Sequence, residues 1–337
     1  MAATRCARAA GVARLVRFRP LLERFESLHA LVVGDLMLDE YIVGKATRIS
    51  PEAPVMVIRQ QRTFSVPGGA ANVAKNIVAL GAKATVIGVV GEDSAGQELQ
   101  EALGESASVV PDPSRPTTRK TRVLADTAHQ VLRIDHESES AIDEDVEDSI
   151  LDTVKSRIHE ANVLILSDYT KGVLTVDLVK RLIELAVSRG VPVTANAKPV
   201  NLSAYQGATL VSLNAKEAAE AVGAKDIIRQ ANGQGLSDRP SSVARQILDE
   251  NGFQHILVTL GEYGMCTESF YIAPQKVEVF DTAGAGDTTI ATVALGLAAI
   301  GFEPKVFELA SHTAAAVVSH VGVATPSHDD LERIRLS

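Results

Sequence analysis

Short apolar runs alternate with amphipathic segments along most of the chain. Continuous apolar runs at residues 30–34, 84–89 and 163–166 predict strands that are covered on both faces. Between them, residues 70–80 and 175–189 have the spacing of amphipathic helices. This alternation is typical of a parallel sheet built from βαβ units. Further strands are predicted at 191–195, 209–212 and 255–259, and further helices at 95–103, from 216, at 241–250, 287–300 and 304–320.

Two stretches, at about 41–66 and 117–135, break this alternation. Both contain β-type segments in which polar and apolar residues are interleaved, a pattern typical of strands with one solvent-exposed face. Because the two stretches are far apart in the sequence, their strands must pair across an excursion from the main body. We therefore predict one small β sheet that lies over the ligand pocket as a lid, and no second domain.

Composition limits the classes of function. The chain has 337 residues, 46% hydrophobic, which is enough for one large globular body. Its net charge of −9 argues against nucleic acid as a partner. The two cysteines, Cys6 and Cys266, form no disulfide framework and favour the cytoplasm. No apolar run reaches the roughly 18 residues that a membrane span needs.

The first 24 residues differ from the rest of the chain because they carry six arginines and one glutamate. This basic N-terminal extension is either without function or a transit peptide or surface anchor. We place one domain at residues 25–330, with the lid strands inside it.

The segment 281–287, which precedes an alanine-rich helix, carries the clearest chemistry. Gly284 and Gly286 let the backbone come close to a ligand. The free N–H groups and the dipole of the following helix then form an anion site, which suits a phosphoryl group in transfer. Asp287 is placed to accept a proton from an attacking hydroxyl. A plain glycine turn with a capping aspartate is the structural alternative.

A second set of polar residues lies at the start of the chain's main body. Asp35 and Asp39 follow the first strand, and Gly68-Gly69 opens the next helix, which carries Asn72. These positions face the ligand edge of an α/β sheet. Carboxylate and amide oxygens accept hydrogen bonds from sugar hydroxyls, although turn formation and capping alone would also explain the pattern.

These motifs resemble the two signatures of the PfkB (ribokinase-like) carbohydrate kinase family. Asn214 and Glu217 match that family's Asn-x-x-Glu motif, and residues 259–264 match its Thr-x-Gly-x-x-Gly nucleotide loop. The resemblance implies a ribokinase-like three-layer α/β/α sandwich with a mostly parallel sheet and a small β lid. Walker A, dinucleotide-fingerprint and protein-kinase motifs are absent from the sequence.

Within that family, the segments 34–39, 48–55, 132–135 and 167–172 resemble the heptose 7-phosphate kinases. This resemblance implies transfer of the ATP γ-phosphate to the anomeric O1 of D-glycero-β-D-manno-heptose 7-phosphate. The sequence departs from the heptose kinase pattern at residues 196–199, where Asn-Ala-Lys-Pro replaces the usual Asp-Pro-Lys-Gly. It departs again at Thr170, where the pattern has a small residue. We also expect no room after the kinase for the nucleotidyltransferase of bifunctional members.

The resemblance implies a role for each matching residue. Asp287 would be the catalytic base, and the N–H groups at Ala285, Gly286 and Asp287 would hold the γ-phosphate beside Gly284. Glu217 would hold Mg²⁺ through water, with Asn214 beside the nucleotide. The sugar would contact Asp35, Asp39, Gly68, Gly69 and Asn72, and the nucleotide would contact Thr259, Gly261, Gly264 and Ser311. Whether the protein also needs a monovalent cation is left open.

A phosphorylated sugar also needs cations. Lys171 and Lys198 follow predicted strand ends, and Arg133 lies in the predicted lid. We predict all three as substrate or phosphate contacts, with solvated surface charge as the alternative.

Three other interpretations stay open: another PfkB kinase of ribose, fructose or fructose phosphate, a non-catalytic sugar-binding relative, and a nicotinamide dehydrogenase. Retention of Asp287 and Glu217 argues against the second, and the missing dinucleotide fingerprint against the third. The small-molecule partners implied are a sugar or sugar phosphate and ATP, and lids packing on each other would make a homodimer.

Overall fold

A nine-stranded main sheet and a four-stranded second sheet are the framework of the fold. The structure is a computed structural model, which describes residues 17–126, 129–228, 238–320 and 322–336. The strands are β1 (His29–Gly34), β2 (Leu36–Ile49), β3 (Met56–Gly69), β4 (Lys83–Val90), β5 (Ala107–Pro111), β6 (Thr118–Ala125), β7 (His129–His136), β8 (Val163–Ser167), β9 (Val193–Asn196), β10 (Leu210–Asn214), β11 (His255–Thr259), β12 (Met265–Thr267) and β13 (Tyr271–Ile272). In the main sheet, seven strands run parallel in the order β11, β10, β9, β8, β1, β4, β5. Beyond β11, the sheet continues with β12 and β13 through antiparallel pairs.

Helices cover both faces of the main sheet, which confirms the three-layer sandwich. Successive residues of a strand point to opposite faces, so Ala30 and Val32 belong to one core and Leu31 and Val33 to the other. The helices are α1 (Arg19–Phe25), α2 (Ala70–Ala79), α3 (Ser94–Leu103), α4 (Glu144–Arg157), α5 (Val176–Ser188), α6 (Ala215–Ala221), α7 (Arg239–Asn251), α8 (Ala285–Ile300), α9 (Pro304–Val318) and α10 (His328–Leu336). Helices α1, α2, α3, α8, α9 and α10 pack on the first core, and α4 to α7 on the second.

The predicted basic extension contains residues that pack in the fold. Phe18, Leu21 and Leu22 are buried in the first core together with Phe25. The aromatic ring of Phe18 lies 5.1 Å from the ring of His312. Residues 1–16, which hold three of the six arginines, lie outside the described residues. The domain bounds 25–330 remain a prediction, and α1 extends from the predicted extension to the first residue of that domain.

The second sheet, called the lid below, is formed by the segments in which the lid strands were predicted. Its strands follow the order β3, β2, β6, β7, with β2 parallel to β6 and antiparallel to β3. Strand β2 begins two residues after β1 ends, and β3 ends at Gly69, immediately before α2. The lid is therefore attached to the main body at the edge where the parallel strands end. None of the described helices is long and apolar enough to cross a bilayer.

Candidate active site

A pocket of about 180 Å³ opens at the carboxyl edge of the main sheet. Segments that follow four neighbouring parallel strands, β8 to β11, form one side of it, and the start of α8 forms the other. This is the edge at which α/β sheets bind ligands. The lining residues are Asp168, Tyr169, Asn196, Ala197, Lys198, Ser212, Leu213, Asn214, Glu217, Thr259, Gly284, Gly286 and Asp287.

The start of α8 supplies backbone donors to this pocket. Gly284 caps the helix with a left-handed backbone (φ 83°), and a Cβ atom there would lie 3.1 Å from Asn72 Nδ2. The Ala285 N–H donates to Thr282 O at 3.3 Å, whereas Gly286 and Asp287 line the pocket itself. Helix N-termini favour negative charge because their N–H groups and dipole point outward. The start of α8 therefore offers backbone groups of Gly286 and Asp287 for an anion, and γ-phosphate binding there stays a prediction.

Asp287 is held by two side chains that come from other elements. Its carboxylate accepts a hydrogen bond from Asn72 Nδ2 at 2.7 Å and another from the Tyr169 hydroxyl. Burial raises the pKa of Asp287 to about 6, although these two donors favour its ionised form. A carboxylate with a pKa near neutrality and a fixed direction can accept a proton from a nearby hydroxyl.

Hydrogen bonds through Asn76 connect Asn72 on α2 to the neighbouring helix α8. Asn76 donates to the Asn72 backbone carbonyl at 2.9 Å, and the Thr288 hydroxyl donates to Asn76 Oδ1 at 2.7 Å. Both asparagines are buried on α2. The two helices that carry Asn72 and Asp287 are thereby locked together next to the pocket.

Asp35 holds a loop, and it does not line the pocket described above. Its carboxylate accepts backbone N–H groups from Tyr169 at 2.7 Å, Lys171 at 3.1 Å and Val173 at 3.3 Å. Burial and the neighbouring Asp168 carboxylate raise the pKa of Asp35 to about 6. Three backbone donors occupy the oxygens that the sequence assigned to the sugar, so its sugar contact stays a prediction.

Asp39 lies on the lid strand β2 and is not among the residues that line the pocket. Its carboxylate pairs with the guanidinium of Arg122 on β6. The close approach explains Gly68, where a Cβ atom would lie 2.0 Å from Asp39 Oδ2. At the next residue, Gly69 has φ 58°, and its Cβ would lie 2.5 Å from the Asp35 carbonyl oxygen. The glycine pair thus lets the end of β3 approach Asp35 and Asp39, which lie just before and within β2.

Asn214 and Glu217 begin α6 with a capping box. The Asn214 side chain accepts the Glu217 N–H at 2.9 Å, and Glu217 Oε2 accepts the Asn214 N–H at 2.8 Å. Glu217 Oε1 accepts a hydrogen bond from Lys198 Nζ at 2.5 Å. One carboxylate and one ammonium group, held by these contacts, thus belong to the residues that line the pocket together with Asp287.

The predicted nucleotide loop lies at the same edge, only partly in the pocket. Thr259 lines the pocket, and Gly261 and Gly264 flank the turn after it with φ values of 60° and 85°. A Cβ at Gly264 would lie 2.2 Å from the Ile272 carbonyl oxygen. Ser311, buried on α9, donates to Ala273 O at 3.3 Å.

Of the three predicted cations, Lys198 alone lines the described pocket. Lys171 Nζ is paired with Glu137 at 2.8 Å and Glu139 at 2.7 Å. Arg133 Nε is paired with Asp135 at 2.9 Å, and its side chain is half exposed on β7. The contacts of Lys171 and Arg133 with a substrate phosphate stay predictions.

The site and the fold agree with the comparison of the chain to protein families. The model of the pfkB family carbohydrate kinases matches residues 28–330, which include every residue of the pocket. The chain belongs to the pfkB family of carbohydrate kinases.

Relatives and solved structures resemble this pfkB chain over most of its length. "Bifunctional protein HldE" of Desulfatibacillum aliphaticivorans is 40% identical over 319 residues, which cover 91% of this chain and 63% of the relative. The protein of the same name from Pelobacter propionicus is 41% identical over 90% of this chain and 62% of its own length. The chain therefore spans less than two thirds of these curated relatives.

The solved structures share the fold at low identity. Escherichia coli phosphofructokinase-2 in complex with substrates and products has a TM-score of 0.73 at 22% identity, covering 91% of this chain and 98% of that one. Arabidopsis thaliana ribokinase complexed with ribose and ATP has a TM-score of 0.67 at 17% identity, with the same coverage.

Four polar pocket residues of this pfkB chain were not among the predicted site residues: Asp168, Tyr169, Asn196 and Ser212. Three of them follow or end parallel strands β8 and β9, and Ser212 lies within β10. Strand ends at a shared edge were the available signal, since the carboxyl ends of parallel strands meet there. The Tyr169 contact with Asp287 spans 118 positions and has no local signature in the sequence.

Proposed function

We propose that the protein is an ATP-dependent sugar kinase that phosphorylates the anomeric O1 of D-glycero-β-D-manno-heptose 7-phosphate. The observation that carries the proposal is the position of Asp287, a buried carboxylate on the first turn of α8, whose N-terminal N–H groups face the same pocket. A base and an anion site on the same helical turn suit transfer of a phosphoryl group to a hydroxyl.

Two observations support a heptose phosphate over other sugars. The HldE relatives share 36–41% identity with nine tenths or more of this chain. The second is the run 48–55, which resembles the heptose kinases and forms the end of β2 and the connection to β3. Asn196, at the start of the segment that departs from the heptose kinase pattern, lines the pocket. If the enzyme prefers another acceptor sugar, we therefore expect residues 196–199 to be the source of the altered specificity.

In this proposal, each group of the chain has one task. The acceptor hydroxyl transfers its proton to Asp287 as its oxygen attacks the γ-phosphorus, and the bond from that phosphorus to the ADP oxygen breaks. The N–H groups of Gly286 and Asp287 stabilise the charge on the transferring group. Lys198, which lies between Glu217 and the Tyr169 ring, supplies a positive charge on the nucleotide side. Closure of the lid excludes water.

The donor groups of the pocket fit magnesium bound mainly through water. Among residues 17–126, 129–228, 238–320 and 322–336, no group of three His, Cys, Asp or Glu side chains could hold a metal. Mg²⁺ usually keeps several waters and uses one or two carboxylates with substrate phosphates. Glu217, with Asn214 beside it, would hold such an ion, which would neutralise phosphate charge. Escherichia coli phosphofructokinase-2 has also been solved in complex with potassium, so a rate comparison in K⁺ and Na⁺ tests a monovalent requirement here.

The test of the proposed function is ADP release from Mg-ATP with a panel of acceptors. The panel contains heptose 7-phosphate, sedoheptulose 7-phosphate, fructose, fructose 6-phosphate, ribose and adenosine. We expect the highest kcat/KM with heptose 7-phosphate. A clear preference for another sugar would refute the acceptor and keep the kinase. Nucleotide binding without ADP release for any acceptor would favour a sugar-binding protein without catalysis.

We propose that two copies of the chain pack lid against lid. The lid strands expose apolar side chains, among them Met56, Phe64, Leu132 and Ile134, which are 41–53% exposed. Burying such side chains against a second copy would stabilise a dimer. We expect light scattering to give twice the chain mass for the wild type and the single-chain mass for Leu132→Asp with Ile134→Asp. Val187→Asp, which changes an exposed apolar residue of α5, should stay dimeric. A wild-type protein of single-chain mass would refute the dimer.

We also propose a cytoplasmic location. Cys266, the free cysteine of the described residues, is buried, and burial raises the pKa of its thiol to about 11. A thiol in that state is unreactive and contributes no disulfide. Cell fractionation tests this location, and recovery in the membrane or periplasmic fraction would contradict it.

A further inference from the structure

We propose that Tyr169 is a positioning residue for the kinase reaction. Its hydroxyl holds the Asp287 carboxylate in the orientation that lets the carboxylate take the proton of the sugar hydroxyl. The inference rests on the proposed function, because a base needs orienting only if a proton is transferred. Tyr169 donates to Asp287 Oδ1, and Asn72 donates to Oδ2, so the two oxygens have separate donors. Each carboxylate oxygen accepts two hydrogen bonds, so an acceptor hydroxyl can approach without displacing either donor.

Tyr169 can orient Asp287 only if its own position is fixed, and three contacts fix it. Its backbone N–H donates to Asp35 at 2.7 Å, and the same carboxylate accepts the N–H of Lys171 two residues later. Lys198 Nζ lies 5.5 Å from the centre of the Tyr169 ring, a cation–π distance. The next residue, Thr170, has a positive φ of 55°, which is uncommon outside glycine and gives this turn a defined shape.

The same loop is tied to the lid. Lys171 Nζ pairs with Glu137, which follows the last lid strand, β7, and Lys120 on β6 pairs with Glu137 at 2.8 Å. These ion pairs connect the lid to the loop that carries Tyr169. The loop is therefore held by Asp35 on one side and by the Lys171–Glu137 pair on the other.

The charges around Asp287 come from several elements. The Asp39 carboxylate of β2 disfavours its ionised form, while Lys198, after β9, favours it. Asn72 on α2 and Tyr169 after β8 donate hydrogen bonds that also favour the ionised form. Removing the Tyr169 hydroxyl therefore removes a donor to the carboxylate and should raise the pKa of Asp287.

The test compares Tyr169→Phe with a matched control, Tyr205→Phe. Tyr205 is a fully buried tyrosine whose hydroxyl donates to another carboxylate, Asp168 Oδ2, at 3.0 Å. Both variants lose one tyrosine hydroxyl that donates to a carboxylate. The first readout is the carboxyl carbon resonance of Asp287, followed against pH by NMR in substrate-free enzyme and assigned by its absence in Asp287→Asn. The second is the pH profile of kcat.

In Tyr169→Phe, we expect the Asp287 titration to move to higher pH by about half a pH unit or more. The acid limb of kcat should move in the same direction, since the base must be ionised. At neutral pH, kcat should fall about tenfold, with both KM values within about twofold of wild type. Tyr205→Phe should leave the Asp287 titration in place.

An Asp287 titration and a kcat profile that are the same in Tyr169→Phe as in wild type would overturn the proposal, even if the variant melts earlier. A shift of equal size in Tyr205→Phe would overturn it too, since the effect would then not be specific. If wild type released no ADP with any acceptor, the proposed function would fail. The NMR titration would still decide whether the Tyr169 hydroxyl acts on Asp287.

Discussion

Asp287→Asn should lower kcat by about 10²- to 10⁴-fold, the usual contribution of a general base. The amide keeps the size of the side chain but cannot accept the proton of the acceptor hydroxyl. The N–H groups at the start of α8 remain, so the Kd for ATP, measured by calorimetry, should change by less than about threefold. In wild type, kcat should fall as the pH drops below the Asp287 pKa of about 6, because protonation removes the base.

Asp330→Asn is the matched control for this substitution. Asp330 is another buried carboxylate, which accepts hydrogen bonds from Ser327 and pairs with Arg333 in α10. It does not belong to the pocket residues. We expect a kcat within about twofold of wild type for Asp330→Asn. A near-normal rate for Asp287→Asn would contradict the assignment of the base.

Asp35→Ala should lower the free energy of unfolding by roughly 3 kcal/mol, because three buried backbone donors each lose a hydrogen bond worth about 1 kcal/mol. The donors are the N–H groups of Tyr169, Lys171 and Val173. For a chain of 337 residues, a loss of this size lowers the melting temperature by roughly 4 °C. Because the loop carries Tyr169, kcat should fall as well. Differential scanning calorimetry and steady-state kinetics measure the two effects.

Asp35→Asn separates holding the loop from binding the sugar. The amide keeps the shape and one acceptor oxygen, so we expect a smaller loss of stability than with alanine. An unchanged melting temperature in both variants, together with a raised KM for the sugar alone, would contradict the loop role. It would support the sugar contact predicted from the sequence.

The same substitution tests a pH effect. The pKa of Asp35 is raised to about 6, so the folded state binds this proton more tightly than the unfolded chain. The corresponding stability is present at low pH and is lost as the pH rises through about 6. Asp35→Asn should therefore lose less stability than wild type between pH 5 and pH 7.

Local patterns in the sequence predict the main elements well where burial is continuous. Strand β11 occupies residues 255–259 as predicted, and α9 starts at the predicted Pro304. Helix α4 was missed because four of its first five residues are charged, and its apolar face is narrow. The short strands β12 and β13 give too few residues for a period to show.

The site was predictable to the extent that motifs carry it. The N-terminal glycines of α8, Asp287 and the capping box at Asn214 are local features, and all of them line the pocket. Contacts between distant segments were not predictable. The pairing of Lys171 with Glu137 joins residues 34 positions apart, and the bond from Asp35 to the Tyr169 N–H spans 134 positions. Only the folded chain shows that Lys171 forms an ion pair with Glu137 and that the Tyr169 N–H donates to Asp35.

The most direct test of the account follows the transferred phosphorus itself. ³¹P NMR of the enzyme with Mg-ATP and heptose 7-phosphate should show loss of the γ-phosphate and formation of ADP. A new sugar phosphate resonance coupled to the anomeric proton should form, while the 7-phosphate persists. Asp287→Asn should slow its formation by the same factor as kcat. Release of inorganic phosphate alone, or an unchanged spectrum, would contradict phosphoryl transfer to this sugar.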